Sequence, residues 1–356
     1  MPADAVPAEA AAIGAGRFEA EHADAPLVLA QRDLTRALAL VGNLLAGGAG
    51  EPEPPDSDRR RALRELVPRW HFAMLNDLSR NDLFQEAIQD TVGPGDHVLD
   101  IGSGSGLLAM LAARSGADRI TSCEVEPVIA RAARRVVADN GLAGAVHIVN
   151  QRSQDLAIGV DLPRRVDVVT AEIVDCGLVG EGLIPTLRHA REHLMRPGGV
   201  LIPHSARLVA APLNSTSIAR LNRVDYACGF DVSRFNEFAT SRYFPVRMRT
   251  LPYQFLAEPR VVLALDFAGD PLEPGEKVLE FEIEHGGACH GMAFWFELAL
   301  DKKRVLSNEP GNSDCHWHQA FQAFPEVVTL RAGARMRVRL VHTDGLVHFT
   351  LLGERA

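Results

Sequence analysis

The apolar segment Val98-Leu-Asp-Ile101 runs without a break into Gly102-Ser-Gly104-Ser-Gly106 and on into the Ala/Leu-rich stretch Leu107 to Arg114. Strand, glycine turn and helix in that order fit a βα unit, because glycines permit the sharp turn and let a ligand approach the helix N-terminus. Strand-like and helix-like segments keep alternating from about residue 90 to 203, which implies βαβ units and a parallel sheet. Pro197-Gly-Gly-Val-Leu-Ile-Pro203 reads as the turn and strand near its end. After Pro203 the character changes. Ala206 to Ala211, Val261 to Phe267, Lys277 to Ile283, Met292 to Leu298, Arg335 to Val341 and Val347 to Leu352 read as strands, several with period-two alternation. The expected fold class is therefore α/β, a Rossmann-like domain over 67–203. A β-sandwich or barrel-like domain follows over 204–356, with residues 214–245 as an irregular, helical insertion.

A Gly-x-Gly-x-Gly turn alone serves several nucleotide cofactors, and its surroundings narrow the choice. Asp100 ends the strand before the glycines, where an acid suits a cationic ligand end such as a methionine ammonium. Arg119-Ile-Thr-Ser-Cys-Glu124 ends in an acid about 20 residues beyond the glycine loop, where a ribose diol is expected to bond. Val146 to Asn150 is followed by Gln151-Arg-Ser-Gln-Asp155, where an adenine edge can be read. Acidic strand ends with no base for a 2′-phosphate favour S-adenosylmethionine over NADP.

Downstream, Glu172-Ile-Val-Asp-Cys-Gly-Leu-Val-Gly-Glu181 follows the apolar run Val166 to Thr170. Two carboxylates brought close together repel and each loses water, so the arrangement makes sense when a cation completes it. A guanidinium fits: it is planar, always charged at pH 7 and matched to forked carboxylates.

The chain has 356 residues, 47% hydrophobic and 23% charged, which suits a globular protein of two domains plus an extension. A net charge of −9 argues against nucleic acid or an anionic membrane as partner and favours cationic substrates. Five scattered cysteines form no paired framework and suggest a reducing compartment. With no secretory leader and no membrane-length apolar run, a cytoplasmic location is expected. Residues 1–66 form an N-terminal extension. Leu27, Leu34, Leu38, Val41 and Leu45 mark an amphipathic helix over 26–46, and Glu51 to Ser57 a linker. That helix is expected to bury its stripe on the rest of the chain or on a second subunit, the second being preferred. The His and Cys residues at 285, 289, 290, 315, 316 and 318 match no zinc spacing, so no metal is expected.

From about Trp70 to its C-terminus the chain resembles the protein arginine methyltransferases. Val98 to Gly106 looks like the family's cofactor loop, Glu172 to Glu181 like its double-glutamate loop, and Cys315-His316-Trp317 like its Thr-His-Trp loop with Cys for Thr. Met74-Leu-Asn-Asp-Leu-Ser-Arg80 is similar to the helix that folds over the cofactor. The resemblance implies S-adenosylmethionine as cofactor, with Arg80 on its carboxylate, His71 over it and Asp100, Gly102 and Gly104 around its methionyl part. Glu124 would hold the ribose, and Ser153 and Gln154 the adenine. It implies Glu172 and Glu181 as the guanidine clamp, His316 as a further catalytic group, Met74 and Trp317 as pocket walls, and a homodimer formed through an arm at about 214–245. Tyrosines expected before His71 are missing, and Ile173-Val174-Asp175 stands where many members have Trp-Met-Gly; Asp175 resembles the monomethylating branch. The expected substrate is free L-arginine, methylated at Nδ in a bacterial antibiotic pathway of the kind that makes streptozotocin. The alternatives are peptidyl arginine, singly methylated, and a catalytically silent dimeric scaffold.

Overall fold

The computed structural model describes residues 67–355. The expected helix over 26–46, the linker and the rest of the N-terminal extension lie outside the described residues.

Two helices come first, α1 (Trp70–Leu75) and α2 (Leu78–Thr91). The side chain of Asp77 caps α2 by accepting from the Arg80 amide at 2.9 Å, which satisfies one of the donors that a helix start leaves free. Then β1 (His97–Ile101), α3 (Leu107–Arg114), β2 (Arg119–Cys123), α4 (Pro127–Asp139), β3 (Val146–Val149), β4 (Val166–Ala171), α5 (Leu183–His189) and β5 (Met195–Ile202) alternate as the sequence implied. The five strands form one parallel sheet in the order β3-β2-β1-β4-β5. Every residue of β1 and β4 is buried, as central parallel strands covered on both faces require. Pro127 opens α4 at a position where its missing N–H costs nothing, and Ile129, Ala130, Ala133 and Val137 turn one face inward.

From β6 (Ser205–Asn214) onward the chain is antiparallel and β-rich. After a short helix α6 (Thr216–Ala219) come β7 (Tyr226–Ala227), β8 (Phe230–Asp231), β9 (Phe244–Val246), β10 (Gln254–Phe255), β11 (Arg260–Asp266) and β12 (Gly275–Glu282). The chain then runs through β13 (Gly287–Ala299), β14 (Val305–Ser307), β15 (Gln319–Leu330), β16 (Arg335–His342) and β17 (Val347–Arg355). One sheet runs β10-β6-β13-β15-β9 with β11 and β14 on its flanks, and a second runs β12-β16-β17. Buried Gln322 joins them, accepting from the Phe349 amide and donating to the Phe349 carbonyl, each at 2.8 Å. One apolar core is continuous from Phe84, Val98 and Val169 of the parallel half to Phe294, Phe296 and Phe349 of the antiparallel half, and a smaller one gathers Leu213, Ile218, Met248 and Phe321.

The insertion at 214–245 is less helical than expected. It holds α6, a two-strand hairpin β7-β8 and a 3₁₀ stretch over Ser233–Phe238. Cys228 and Gly229, at φ 52° and 86°, make the hairpin turn. Leu221, Tyr226, Phe230, Phe235 and Phe238 stay exposed on this arm. No helix among the described residues is long and apolar enough to cross a membrane.

Candidate active site

Strands β1 and β4 are neighbours at the point where the sheet order reverses, and crevices at the carboxyl ends of such strands are where open α/β sheets take ligands. Ile101 pairs with Ala171, so the next residue on each strand, Gly102 and Glu172, opens its loop at the same level. The loops touch: a Cβ on Gly102 would lie 2.8 Å from Ile173 Cγ2, which only glycine avoids. Gly104, at φ 52°, is different. A Cβ there would meet nothing within 4 Å, so the turn keeps an open side. Glu124, at the end of β2, accepts from the Gly104 and Glu126 amides at 3.0 Å each and is thereby fixed beside that opening.

Asp100 lies beneath the glycine turn. It is 1% exposed, and its oxygens accept from Ser122 Oγ at 2.7 Å and Thr170 Oγ1 at 2.9 Å. Burial pushes its carboxyl up to about 6 against the pull of those hydroxyls. It braces β1 against β2 and β4 beneath the glycine turn. Ser153 is buried and Gln154 donates to Thr186 Oγ1 at 3.2 Å, which ties the segment after β3 to α5.

Glu172 is nearly enclosed, its side chain 7% exposed, and it binds the guanidinium of Arg80 through a short Nη2–Oε2 contact. Burial raises the Glu172 carboxyl, and Arg80 works against that rise; His316 and His71 also favour the charged form. Arg80 gives its other terminal nitrogen to Asn81 at 2.7 Å, while its Nε is buried with no acceptor among the described residues. A buried donor without a partner is costly. It suits a carboxylate arriving in the crevice, the part expected of Arg80, and together with the open side of Gly104 it fits a cofactor carrying an amino-acid end.

Glu181, across the loop, is exposed and takes no hydrogen bond among the described residues. Dehydration by the surrounding walls, followed by the charges of Glu172 and Asp175, pushes its carboxyl up to about 7. The antiparallel half closes the other side. Trp317 donates its indole N–H to the Val174 carbonyl at 2.9 Å and meets Phe296 edge-on. His316 stacks on Trp317, and its ring Nδ1 and its amide each lie 2.9 Å from Asp77 Oδ2. Burial alone would raise the Asp77 carboxyl, but the bonds from His316 and the Arg80 amide outweigh it and hold it below the usual range. Met74 is buried on α1, and half-buried His71 stacks on Trp70.

Glu172, Arg80, His316 and Trp317 thus belong to one connected network. Two of its members escaped the sequence reading. Asp77 carried a local signal, an acid three residues before Arg80 at a helix start, but nothing local announces its bond to His316. Buried Asn308 donates to the His318 carbonyl at 2.7 Å and the Cys176 carbonyl at 3.3 Å, and accepts from the Phe296 amide at 2.7 Å.

Residues 82–202 match the family model described as ribosomal protein L11 methyltransferase, and residues 204–345 match the arginine methyltransferase oligomerization subdomain. An arginine N(omega)-methyltransferase of Streptomyces achromogenes subsp. streptozoticus is 44% identical over 281 residues, covering 79% of this chain and 78% of that protein. The chain belongs to the arginine methyltransferase family. Human protein arginine N-methyltransferase 9 is 31% identical over 73% of this chain, but the chain spans only 35% of that longer protein. Among solved structures, the Trypanosoma brucei PRMT1 enzyme–prozyme complex with AdoHcy aligns with a TM-score of 0.66 at 22% identity, covering 76% of this chain and 86% of that one. That likeness supports the two-part fold.

Proposed function

We propose that this methyltransferase transfers a methyl group from S-adenosylmethionine to a guanidine nitrogen of arginine. The observation that carries the reading is Glu172 gripping a guanidinium, that of Arg80, at the switch point, with Glu181 free across the same loop. S-adenosylmethionine, when bound, supplies an electrophilic methyl on a sulfonium. Arg80 Nε and the open side of Gly104 would receive its amino-acid end, Glu124 its ribose, and Ser153 and Gln154 its adenine.

A guanidinium delocalises its lone pairs and is a poor nucleophile. Two carboxylates in its plane draw the positive charge toward the nitrogens they bind, leave a lone pair more localised on the nitrogen facing the methyl, and fix that nitrogen near attack distance. Glu172 and Glu181 perform this on the present reading, with Met74 and Trp317 as walls. Methylation leaves one proton in excess. Glu181, whose carboxylate faces the substrate nitrogens on this reading, is the first choice to accept it, and His316, held on Asp77, the second.

Free L-arginine is the favoured substrate, because the 44%-identical relative is named for arginine rather than for a protein. That name also favours a terminal ω nitrogen as methyl acceptor over the Nδ expected from sequence. Peptidyl arginine is the second reading, favoured by relatives such as the human protein. A cytoplasmic homodimer joined through the exposed arm, working in an antibiotic pathway, completes the proposal.

Mass spectrometry of reactions with S-adenosylmethionine and either free arginine or an arginine-rich peptide tests it. A singly methylated free arginine supports the reading, and fragmentation assigns the nitrogen. Methylation of the peptide alone would move the substrate to proteins, and no transfer to either would sink the activity.

A further inference from the structure

Tyr243 follows the exposed arm and directly precedes β9. Its hydroxyl donates to Asp175 Oδ2 at 2.7 Å, and its ring meets Phe294 edge-on at 5.2 Å within the antiparallel half. The other oxygen of Asp175 accepts two amides of the same loop, Gly180 at 2.9 Å and Gly177 at 3.2 Å. The loop backbone lies directly on the tyrosine. A Cβ on Gly177 would come within 2.5 Å of the Tyr243 ring, and one on Gly180 would run into the Asp175 carboxylate. Between them Leu178 is held at φ 80°, a conformation that a side-chain-bearing residue adopts only when its surroundings impose it.

The two arms of the clamp are secured differently. Glu172 has Arg80, whereas the Glu181 carboxylate takes no hydrogen bond among the described residues, so its position is set by its backbone and above all by the preceding residue, Gly180. The geometry points to Tyr243 and Asp175 as a positioning pair: Tyr243 anchors Asp175, and Asp175 fixes the Gly180 amide that places Glu181 for guanidine capture. The pair also links the base of the arm to the clamp. Burial, and then the neighbouring Asp175 charge, push the Tyr243 phenol above its ordinary range, so it stays a donor at every working pH.

The kinetic part of the test rests on the methyl-transfer reading; the exchange part does not. Tyr243→Phe keeps the ring on Phe294 and removes only the hydroxyl. Its expected effects are about ten-fold faster hydrogen exchange in the peptide 176–182 and about a ten-fold loss of kcat/KM for arginine, as for a hydrogen bond to a charged group. The dissociation constant of S-adenosylhomocysteine should stay within about two-fold, because neither member of the pair is among the residues proposed to hold the cofactor. Asp175→Asn, which keeps one acceptor oxygen, should show the same split with a smaller loss. Unchanged exchange in Tyr243→Phe overturns the pairing, whatever the substrate. Faster exchange with unchanged kcat/KM overturns the positioning role. If the parent protein methylates no arginine compound, the proposed function falls and exchange alone decides the pair.

Discussion

On the proposed clamp, in which only ionised Glu181 can hold the guanidinium, arginine should bind about ten-fold more weakly at pH 6 than at pH 8. The Glu181 carboxyl sits at about 7, raised by dehydration and then by Glu172 and Asp175. The ionised fraction is therefore ~0.9 at pH 8, about half at pH 7 and ~0.1 at pH 6, and the apparent dissociation constant scales inversely with it. A guanidinium arriving at pH 7 drives the remaining sites to ionise and releases about half a proton. Titration calorimetry of arginine into the S-adenosylhomocysteine-loaded protein, in two buffers of different ionisation enthalpy, measures both quantities. Glu181→Gln is the control, since it keeps the shape and should give weak, pH-flat binding without that proton. Asp100, near 6, titrates in both proteins and cancels in the comparison. A buffer-independent enthalpy with constant affinity from pH 6 to 8 would refute the reasoning. Stability follows with a definite sign. The folded carboxyl lies above its ordinary 4.5, so between those values the folded state holds the extra proton and loses stability as pH rises. Glu181→Gln should melt higher than the parent at pH 8, and the gap should vanish by about pH 4.

Glu172→Gln should lower kcat/KM for arginine by about 100-fold or more in a product-mass assay, while S-adenosylhomocysteine still binds. Gly104→Ala adds a Cβ that meets no protein atom, so melting should report a loss of only about 1–2 kcal/mol for the left-handed backbone, with cofactor affinity falling at least ~10-fold. Gly106→Ala, whose Cβ would lie 3.1 Å from Val137, should instead be felt mainly in stability. Arg304 bonds Glu86 at 2.9 Å and Asp90 at 2.8 Å on α2; Arg304→Met should lower the melting temperature most at low salt and weaken cofactor binding through Arg80, which the same helix carries.

Features written in neighbouring residues could be read before the structure. The strand–glycine–helix unit, the shift of period after Pro203 and the eight-residue loop between the glutamates are all local, and the parallel sheet then puts the ends of β1 and β4 side by side. What could not be read depends on partners far apart in the chain. His316 finds Asp77 239 positions away, and Asn308 reaches Cys176 across 132. The place of Asp100 at a strand end was legible, but its bonds to Ser122 and Thr170 on the flanking strands were not. The arm misled for another reason. Its apolar residues gave no core-facing period because so many of them face outward.

The site also explains why a methyltransfer sheet carries a second, antiparallel half. A loop with three carboxylates at 172, 175 and 181 repels itself, and a scaffold that gripped all of them would leave nothing for a substrate. The antiparallel half takes hold of other atoms. Trp317 binds the Val174 carbonyl, Asn308 the Cys176 carbonyl, and Tyr243 the one carboxylate that is not part of the clamp. His316 secures Asp77, which caps the helix carrying Arg80. The loop is thereby held by its backbone and by Asp175, while Glu181 keeps its acceptors free. Buried polar groups are costly when left unpaired, so the parallel half alone would expose or orphan Val174 O, Cys176 O and Asp77 Oδ2 together. It follows that cutting the chain at residue 203 should disorder the clamp even where the sheet survives, because the bonds of Trp317 and Asn308 to the loop backbone and of Tyr243 to Asp175 all come from beyond that point.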